Sequence, residues 1–217
     1  VSGLFAHNPE VSLLIVDDGS PDGTGAIANR LAASDERISV MHRTEKAGLA
    51  GAYKAGFAWG IERGFDYLIE MDADGSHRAQ DLPALLAAAP NSDLVIGSRW
   101  IKGGKVENWP LRRKVLSRGG NIYARFMLGS QVHDMTAGFR VYKSSLLNRL
   151  NLNDLSARGY SFQVEMTRKT QQAKAKITEV PIIFIEHEHG VSKMSQSIVI
   201  EAMLLVTKLG LKRIFGR

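Results

Sequence analysis

Two carboxylates one residue apart close an apolar run in Tyr67-Leu68-Ile69-Glu70-Met71-Asp72-Ala73-Asp74-Gly75-Ser76-His77. If that run is a strand, Asp72 and Asp74 arrive together at its carboxyl end, where open α/β sheets bind their ligands. Oxygen donors of this kind suit Mg2+ or Mn2+, cations that keep several waters and complete their shell from substrate phosphates. The pair therefore points to a metal and to a phosphorylated substrate. Taken alone, the spacing equally fits a solvated turn, because Asp, Gly and Ser are ordinary turn residues.

A second acidic strand end lies upstream in Val16-Asp17-Asp18-Gly19-Ser20-Pro21-Asp22-Gly23-Thr24. Gly19, Pro21 and Gly23 favour a tight turn, and Asp22 or Thr24 can cap the helix that follows. On their own, Asp18 and Ser20 could do no more than satisfy turn amides. A carboxylate at a strand end can also accept hydrogen bonds from a nucleobase, and two acidic strand ends in one sheet converge on one crevice.

The elements needed to build that sheet are legible. Residues 11–16, 38–42, 65–71 and 94–97 read as strands, and 23–33, 48–63 and 82–89 as helices. This alternation predicts a mainly parallel sheet covered by helices, joined by right-handed crossovers. The chain of 217 residues fits one domain with an ordinary core. It has no cysteine, which excludes disulfides and thiolate metal sites. A net charge of +6 favours anionic partners: nucleic acid, nucleotide phosphates or an acidic membrane surface. No signal peptide and no apolar run of about 18 residues is present, so a bilayer-spanning helix is not expected.

Eight segments fall in order along the chain: the Val16 to Thr24 motif; Gly48-Leu49-Ala50-Gly51-Ala52-Tyr53; Met71-Asp72-Ala73-Asp74-Gly75-Ser76-His77; Gly97-Ser98-Arg99-Trp100; Ser117-Arg118-Gly119-Gly120-Asn121; Asp134-Met135-Thr136-Ala137-Gly138-Phe139-Arg140; Gly159-Tyr160-Ser161-Phe162-Gln163-Val164-Glu165; and Gly190-Val191-Ser192-Lys193. Together they resemble the dolichol- or polyprenol-phosphate mannose synthases, family 2 glycosyltransferases with a GT-A fold, and within these the bacterial polyprenol monophosphomannose synthases. The resemblance implies an α/β, Rossmann-like GT-A domain that transfers mannose from GDP-mannose to a polyprenyl monophosphate, inverting the anomeric carbon, with Mg2+ or Mn2+ on the diphosphate. Asp18 matches the base-recognition aspartate, with Val16 beside it. Asp72 and Asp74, with Ala73 between them, match the metal and diphosphate ligands, and Ser76 falls where some members place a third metal ligand with a longer polar side chain. Arg99, Arg113 and Ser117 match the acceptor-phosphate positions, and Lys193 matches a donor-side lysine. His187 stands where an arginine often contacts the donor. Of these, Asp74, Arg99 and Arg113 are expected to act in catalysis. The resemblance also implies work at the cytoplasmic face of a membrane, with room for a membrane-anchoring partner protein.

The chemistry of the residues is consistent with those roles. Arg113 and Ser117 are four apart on the helix expected after Pro110, so they face one spot, where a guanidinium and a hydroxyl can orient a phosphate oxygen. Arg112, Lys114, Arg118 and Arg125 lie on adjoining faces and read as a solvated basic stripe with weak attraction to lipid. A phosphate acceptor is already ionised at neutral pH and needs no general base. His77 reads as a loop-holding hydrogen-bond partner and His133 as structural. Gln163 and Glu165 are two apart and cannot share a helix face, while Tyr160 and Phe162 read as packing residues. Glu186, His187, Glu188 and His189 alternate as an exposed strand end does, rather than as a second metal site.

Two regions qualify this reading. Nothing in residues 1–9 matches the Pro-Thr-Tyr-Asn-Glu type motif that ends the family's first strand, so that strand is expected to be absent and donor binding by this chain weak. Residues 1–193 then form the catalytic domain, and 194–217 an amphipathic helix that either packs on it or lies at an anionic membrane interface. Competing readings are a transferase using another sugar nucleotide such as UDP-glucose, and a non-catalytic nucleotide- or membrane-binding module. Nucleic-acid binding rests on charge alone and is not expected, for want of a recognition motif or a base-stacking platform.

Overall fold

The computed structural model describes residues 1–44, 48–152, 155, 161–186 and 196–216. Its elements run α1 (Ser2–His7), β1 (Leu13–Asp17), α2 (Thr24–Ser34), β2 (Ile38–His42), α3 (Gly48–Glu62), β3 (Tyr67–Glu70), α4 (Leu82–Ala88), β4 (Leu94–Ser98), β5 (Lys105–Glu107), α5 (Leu111–Leu128), β6 (Arg140–Lys143), α6 (Ser144–Arg149), α7 (Ser161–Gln172), β7 (Ile177–Pro181), β8 (Ile183–Ile185) and α8 (Gln196–Phe215).

Strand β4 is the centre of the architecture. Its Leu-Val-Ile-Gly-Ser run is buried at every position, as expected for a strand covered on both faces. Leu94 and Ile96 point into a large cluster with Phe57, Tyr142, Leu146 and Phe162, whereas Val95 points the other way, against Leu82, Leu85, Phe139 and Val141. This period-two alternation divides the core into two layers, one on each side of the sheet. Strand β7 pairs with β4 in parallel, while β6 runs antiparallel between β4 and β3. Strands β1 and β2 form a separate parallel pair, and β5 and β8 another.

Among the described residues the sheet is interrupted between β1 and β3. Leu13, Leu14, Ile15 and Val16 are consequently only half-buried, despite being as apolar as the residues of β4. Helix α3 packs against both pieces. Its Gly56 lies against Leu14 and Val16 of β1, and its Gly60 meets Leu68 of β3 so closely that a side chain there would collide.

Helix α5 carries three faces. Asn121, Ala124 and Leu128 are buried, Tyr123 and Met127 meet α8, and Leu111, Val115, Ile122 and Phe126 are exposed. Helix α8 runs beside it in the same direction: Tyr123 Oη lies 2.6 Å from Thr207 Oγ1, and Arg213 donates to the Met127 carbonyl at 3.3 Å. The C-terminal helix therefore packs on α5 along one side. Ile200, Leu204, Leu211 and Phe215 remain exposed on another. No helix among the described residues is long and apolar enough to cross a membrane.

Candidate active site

Strand β3 ends at Glu70, and the chain then turns through Asp72, Asp74 and Gly75. Gly75 takes φ +82°, a left-handed conformation that glycine adopts without steric cost. Ser76, fully buried, donates to Asp74 Oδ1 through its amide (3.0 Å) and its hydroxyl (2.6 Å). Its hydroxyl proton is thus directed at Asp74, so Ser76 shapes the carboxylate beside it while its oxygen keeps its lone pairs. The Asp72 amide donates to Nδ1 of His77 at 3.0 Å, so the loop-holding role expected of His77 is the one it has. Burial pushes the His77 pKa down, which keeps the ring neutral and Nδ1 an acceptor.

Tyr53, on α3, reaches Asp72 Oδ1 with its hydroxyl at 3.3 Å. Burial, with Glu70 and Asp72 nearby, raises the Tyr53 pKa, so the phenol stays a donor. Gly138 lies beside the Asp72 carboxylate, and a side chain there would reach contact distance at 3.7 Å. Asp72 and Asp74 remain half-buried and exposed respectively, a two-carboxylate oxygen set. No cluster of three or more acidic or histidine ligands occurs among the described residues. The set fits a Mg2+ or Mn2+ ion that draws its other ligands from water and a diphosphate.

A wall of aromatic rings leads from this loop to the basic residues. The His77 ring stacks on Phe139 (5.1 Å) and meets Phe184 edge-on (5.4 Å), and Phe184 in turn packs against Trp109 at 5.5 Å. Both arginines of interest lie on Trp109: the Arg113 guanidinium is 4.1 Å from the ring centroid and that of Arg99 is 5.5 Å away. The strand that supplies Phe184 also touches the metal-side loop, because the Ile185 amide donates to the Ser76 carbonyl at 3.1 Å.

The two arginines are held differently. Arg99 is buried and donates to Asp134 through its backbone amide (2.9 Å), Nε (2.7 Å) and Nη2 (2.7 Å), and to Thr136 at 3.0 Å. A buried cation needs a buried anion, and Asp134 supplies it for Arg99. Arg113 instead pairs with Glu186, and both side chains are partly exposed. Ser117 lies one turn beyond Arg113 on α5, as the spacing predicts, and its carbonyl accepts from Asn121, which also bonds Thr136.

At the other acidic strand end, Asp17 accepts from the Ser20 amide at 3.1 Å and lies 3.2 Å from His42 Nδ1, fastening the turn to β2. Hydrogen bonding from Ser20 holds the Asp17 carboxyl below its ordinary range. Asp18 accepts from Arg43 at 2.8 Å. Val16 is paired with Met41 in the ladder and its side chain lies against α3, which leaves backbone contact as its route to a nucleotide. His187 and Lys193 lie outside the described residues, as do Tyr160, Glu188 and His189.

Sequence reasoning assigns no role to Arg43, Tyr53, Trp109, Asp134 or Phe184, and reads Glu186 only as part of an exposed strand end. Tyr53 and Asp134 left a signal, as the end of the Gly48 to Tyr53 segment and the acidic start of the Asp134-Met135-Thr136 motif. The others act through contacts between elements distant in sequence.

Comparison with known proteins places this site in a lineage. The model for glycosyl transferase family 2 matches residues 3–150. The chain belongs to that family. This family 2 glycosyltransferase is 53% identical over 203 residues to an undecaprenyl-phosphate mannosyltransferase of Micrococcus luteus, covering 94% of this chain and 84% of that one. It is 52% identical over 206 residues to a polyprenol monophosphomannose synthase of Mycolicibacterium smegmatis, covering 94% and 78%. Among solved structures, glucosyl-3-phosphoglycerate synthase from Mycobacterium tuberculosis with Mg2+ and uridine diphosphate superposes with a TM-score of 0.66 at 18% identity, over 95% of this chain and 73% of that one. At that identity the likeness speaks for the fold, and the expected GT-A α/β class holds.

Proposed function

We propose that this glycosyltransferase moves mannose from GDP-mannose to a polyprenyl monophosphate, inverting the anomeric carbon, at the cytoplasmic face of a membrane. The observation that carries the reading is the shared wall: one aromatic series, His77–Phe184–Trp109, joins the Asp72/Asp74 turn to Arg99 and Arg113. A sugar diphosphate at the first end and a lipid phosphate at the second would meet across it. The two relatives just named, both described as acting with polyprenyl-type carriers, support the same acceptor class.

In this reading a phosphate oxygen of the acceptor attacks the anomeric carbon, a new C–O bond forms, and the bond to the diphosphate breaks with its electron pair leaving on GDP. No base is required, since the attacking phosphate is already ionised. The difficulty is to bring two anions together, a task of positioning and charge stabilisation. Asp72 and Asp74 are the residues that would hold a divalent cation, which when bound would supply positive charge for the departing diphosphate. Arg113 and Ser117 orient the acceptor phosphate, Arg99 with Asp134 fixes the floor beneath them, and Asp18 with Arg43 stands where the base binds. Lys193 and His187 are assigned to the donor side.

The exposed apolar residues of α5 and α8, flanked by Arg112, Arg118, Lys208 and Lys212, support docking on an anionic lipid surface. A membrane-anchoring partner protein is compatible with that surface.

The test is a radiolabelled transfer assay that compares GDP-mannose with UDP-glucose, using a short polyprenyl monophosphate as acceptor. Labelled lipid from GDP-mannose alone is the expected result. Transfer from UDP-glucose alone would replace the donor, and no transfer from either sugar nucleotide would favour a binding module.

A further inference from the structure

The ion pair between Arg113 and Glu186 has no counterpart in the expectations for the site, and its construction differs from that of the neighbouring pair. Asp134 is fully buried and accepts three hydrogen bonds from Arg99. Glu186 has Arg113 as its one side-chain partner among the described residues, and the two side chains are 21% and 17% exposed. An anion entering from solvent therefore meets a locked pair at Arg99 and an accessible one at Arg113.

Arg113 does not need Glu186 to stay in place. Its guanidinium lies 4.1 Å from the centroid of Trp109, so its face is packed while its edge is offered to an acceptor, and its buried Nε has no partner among the described residues. Stacked guanidinium groups of this kind present their N–H fork to either a carboxylate or a phosphate. The backbone of Glu186 is anchored separately, since its amide donates to the Glu107 carbonyl at 3.3 Å and the preceding residue is bonded to Ser76. The carboxylate can thus leave Arg113 by side-chain rotation, without dismantling either support.

We infer that Glu186 is an internal stand-in for the acceptor phosphate, occupying Arg113 in the free protein and giving way to a phosphate monoester. The inference rests on the reading of Arg113 as an acceptor-phosphate ligand and adds a specificity-determining residue to it. A phosphate monoester brings nearly two charges and three acceptor oxygens, enough to exchange with one carboxylate. A neutral lipid head brings no charge with which to compete. Glu186 thereby sets a charge threshold at the mouth of the acceptor site and keeps the Arg113 guanidinium paired until the substrate arrives.

The test measures KM for a short polyprenyl monophosphate and for the sugar nucleotide in the wild type, Glu186→Gln, Arg113→Ala and the double variant, with Tm as the check on folding. Glu186→Gln keeps the shape and removes the charge, so it is expected to lower the acceptor KM about three- to fivefold, the scale of a partly exposed pair, with donor KM moving less than twofold. Inhibition by inorganic phosphate is expected to tighten in parallel. In the double variant the gain disappears, because there is no guanidinium left to free. If Arg113→Ala raises the acceptor KM but Glu186→Gln leaves it unchanged or raises it at unaltered Tm, the stand-in role fails and the acceptor reading survives. If Arg113→Ala leaves the acceptor KM unchanged, the acceptor reading of Arg113 itself is wrong.

Discussion

The amide of Asp72 is tied to Nδ1 of His77 across the loop that carries Asp74. His77 is buried between Phe139 and Phe184, so the ring that fixes the first carboxylate also belongs to the wall that reaches Trp109. His77→Phe keeps the stacking and removes the acceptor. We expect the apparent Kd for Mn2+ to rise about tenfold, as supports behind metal ligands commonly show, with a smaller loss of thermal stability. A manganese titration followed by calorimetry decides this, and an unchanged Kd in a folded variant would detach His77 from the metal site.

Asp74 and Ser76 divide one task. The carboxylate faces the cleft, and the serine holds it by amide and hydroxyl. Asp74→Ala is expected to abolish metal-dependent transfer. Ser76→Ala leaves the amide bond in place and is expected to raise the metal requirement by about tenfold or less with kcat recovered at saturating Mn2+. Substantial turnover by Asp74→Ala would refute the metal assignment, and a kcat deficit in Ser76→Ala that metal cannot restore would give the serine a different role.

Legibility in the sequence follows the range of the interactions. Ile38–His42 and the helix beginning at Gly48 are readable because local periodicity and turn residues bound them. Strands β5 and β8 are three residues each and exist only because they pair across the chain, so no periodicity announces them. The carboxylate turn is visible as a motif. The pairings that decide the state of the arginines are not, even where a partner such as Asp134 stands in a motif, since Asp134 lies 35 residues from Arg99 and Glu186 lies 73 from Arg113. Residue type and spacing thus mark the candidate groups, while the groups that hold them are chosen by tertiary packing.

Glu70 offers a prediction about pH. It is fully buried beside Arg140 and Gln163. Burial, opposed by the Arg140 guanidinium and by Gln163, pushes its pKa up to about 8. The folded state then binds this proton more tightly than the unfolded chain. Its contribution to stability is complete below the ordinary value of 4.5 and is lost as pH rises through about 8. Glu70→Gln is therefore expected to match the wild type near about pH 5 and to melt higher near about pH 9. Parallel Tm curves across that range would show that Glu70 is ionised throughout.

The strand that ends just before Asp18 invites a measurement of local stability. Strand β1 is paired with β2 alone among the described residues, whereas β4 is paired on both edges and buried throughout. Amide exchange is set by local opening, and strands with fewer ladders and less burial open more cheaply. We expect the Leu14 to Val16 amides to exchange at least about a hundredfold faster than those of Val95 and Ile96. Sugar nucleotide with Mn2+ should slow the first set more than the second if Asp18 contacts the base. Equal protection in the two strands would mean that β1 is held as firmly as the core, and the expectation of weak donor binding would lose its physical basis.

Phe126 on α5 and Phe215 on α8 are 80% and 78% exposed, an unusual placement for large apolar rings. Each belongs to a stripe, Leu111–Val115–Ile122–Phe126 and Ile200–Leu204–Leu211–Phe215, and the two helices pack together. Apolar area facing a lipid interface adds roughly 25 cal/mol for each Å2 it buries, and nearby lysines and arginines add to this on anionic lipid. Flotation with vesicles containing anionic phospholipid is expected to carry the wild type. The pair Phe126→Ser and Phe215→Ser should cut the bound fraction about tenfold or more, leaving Tm unchanged because neither ring is in the core. Raised salt should weaken binding further by screening the basic residues. If the double variant floats as well as the wild type, these stripes do not meet lipid, and a protein partner becomes their better occupant.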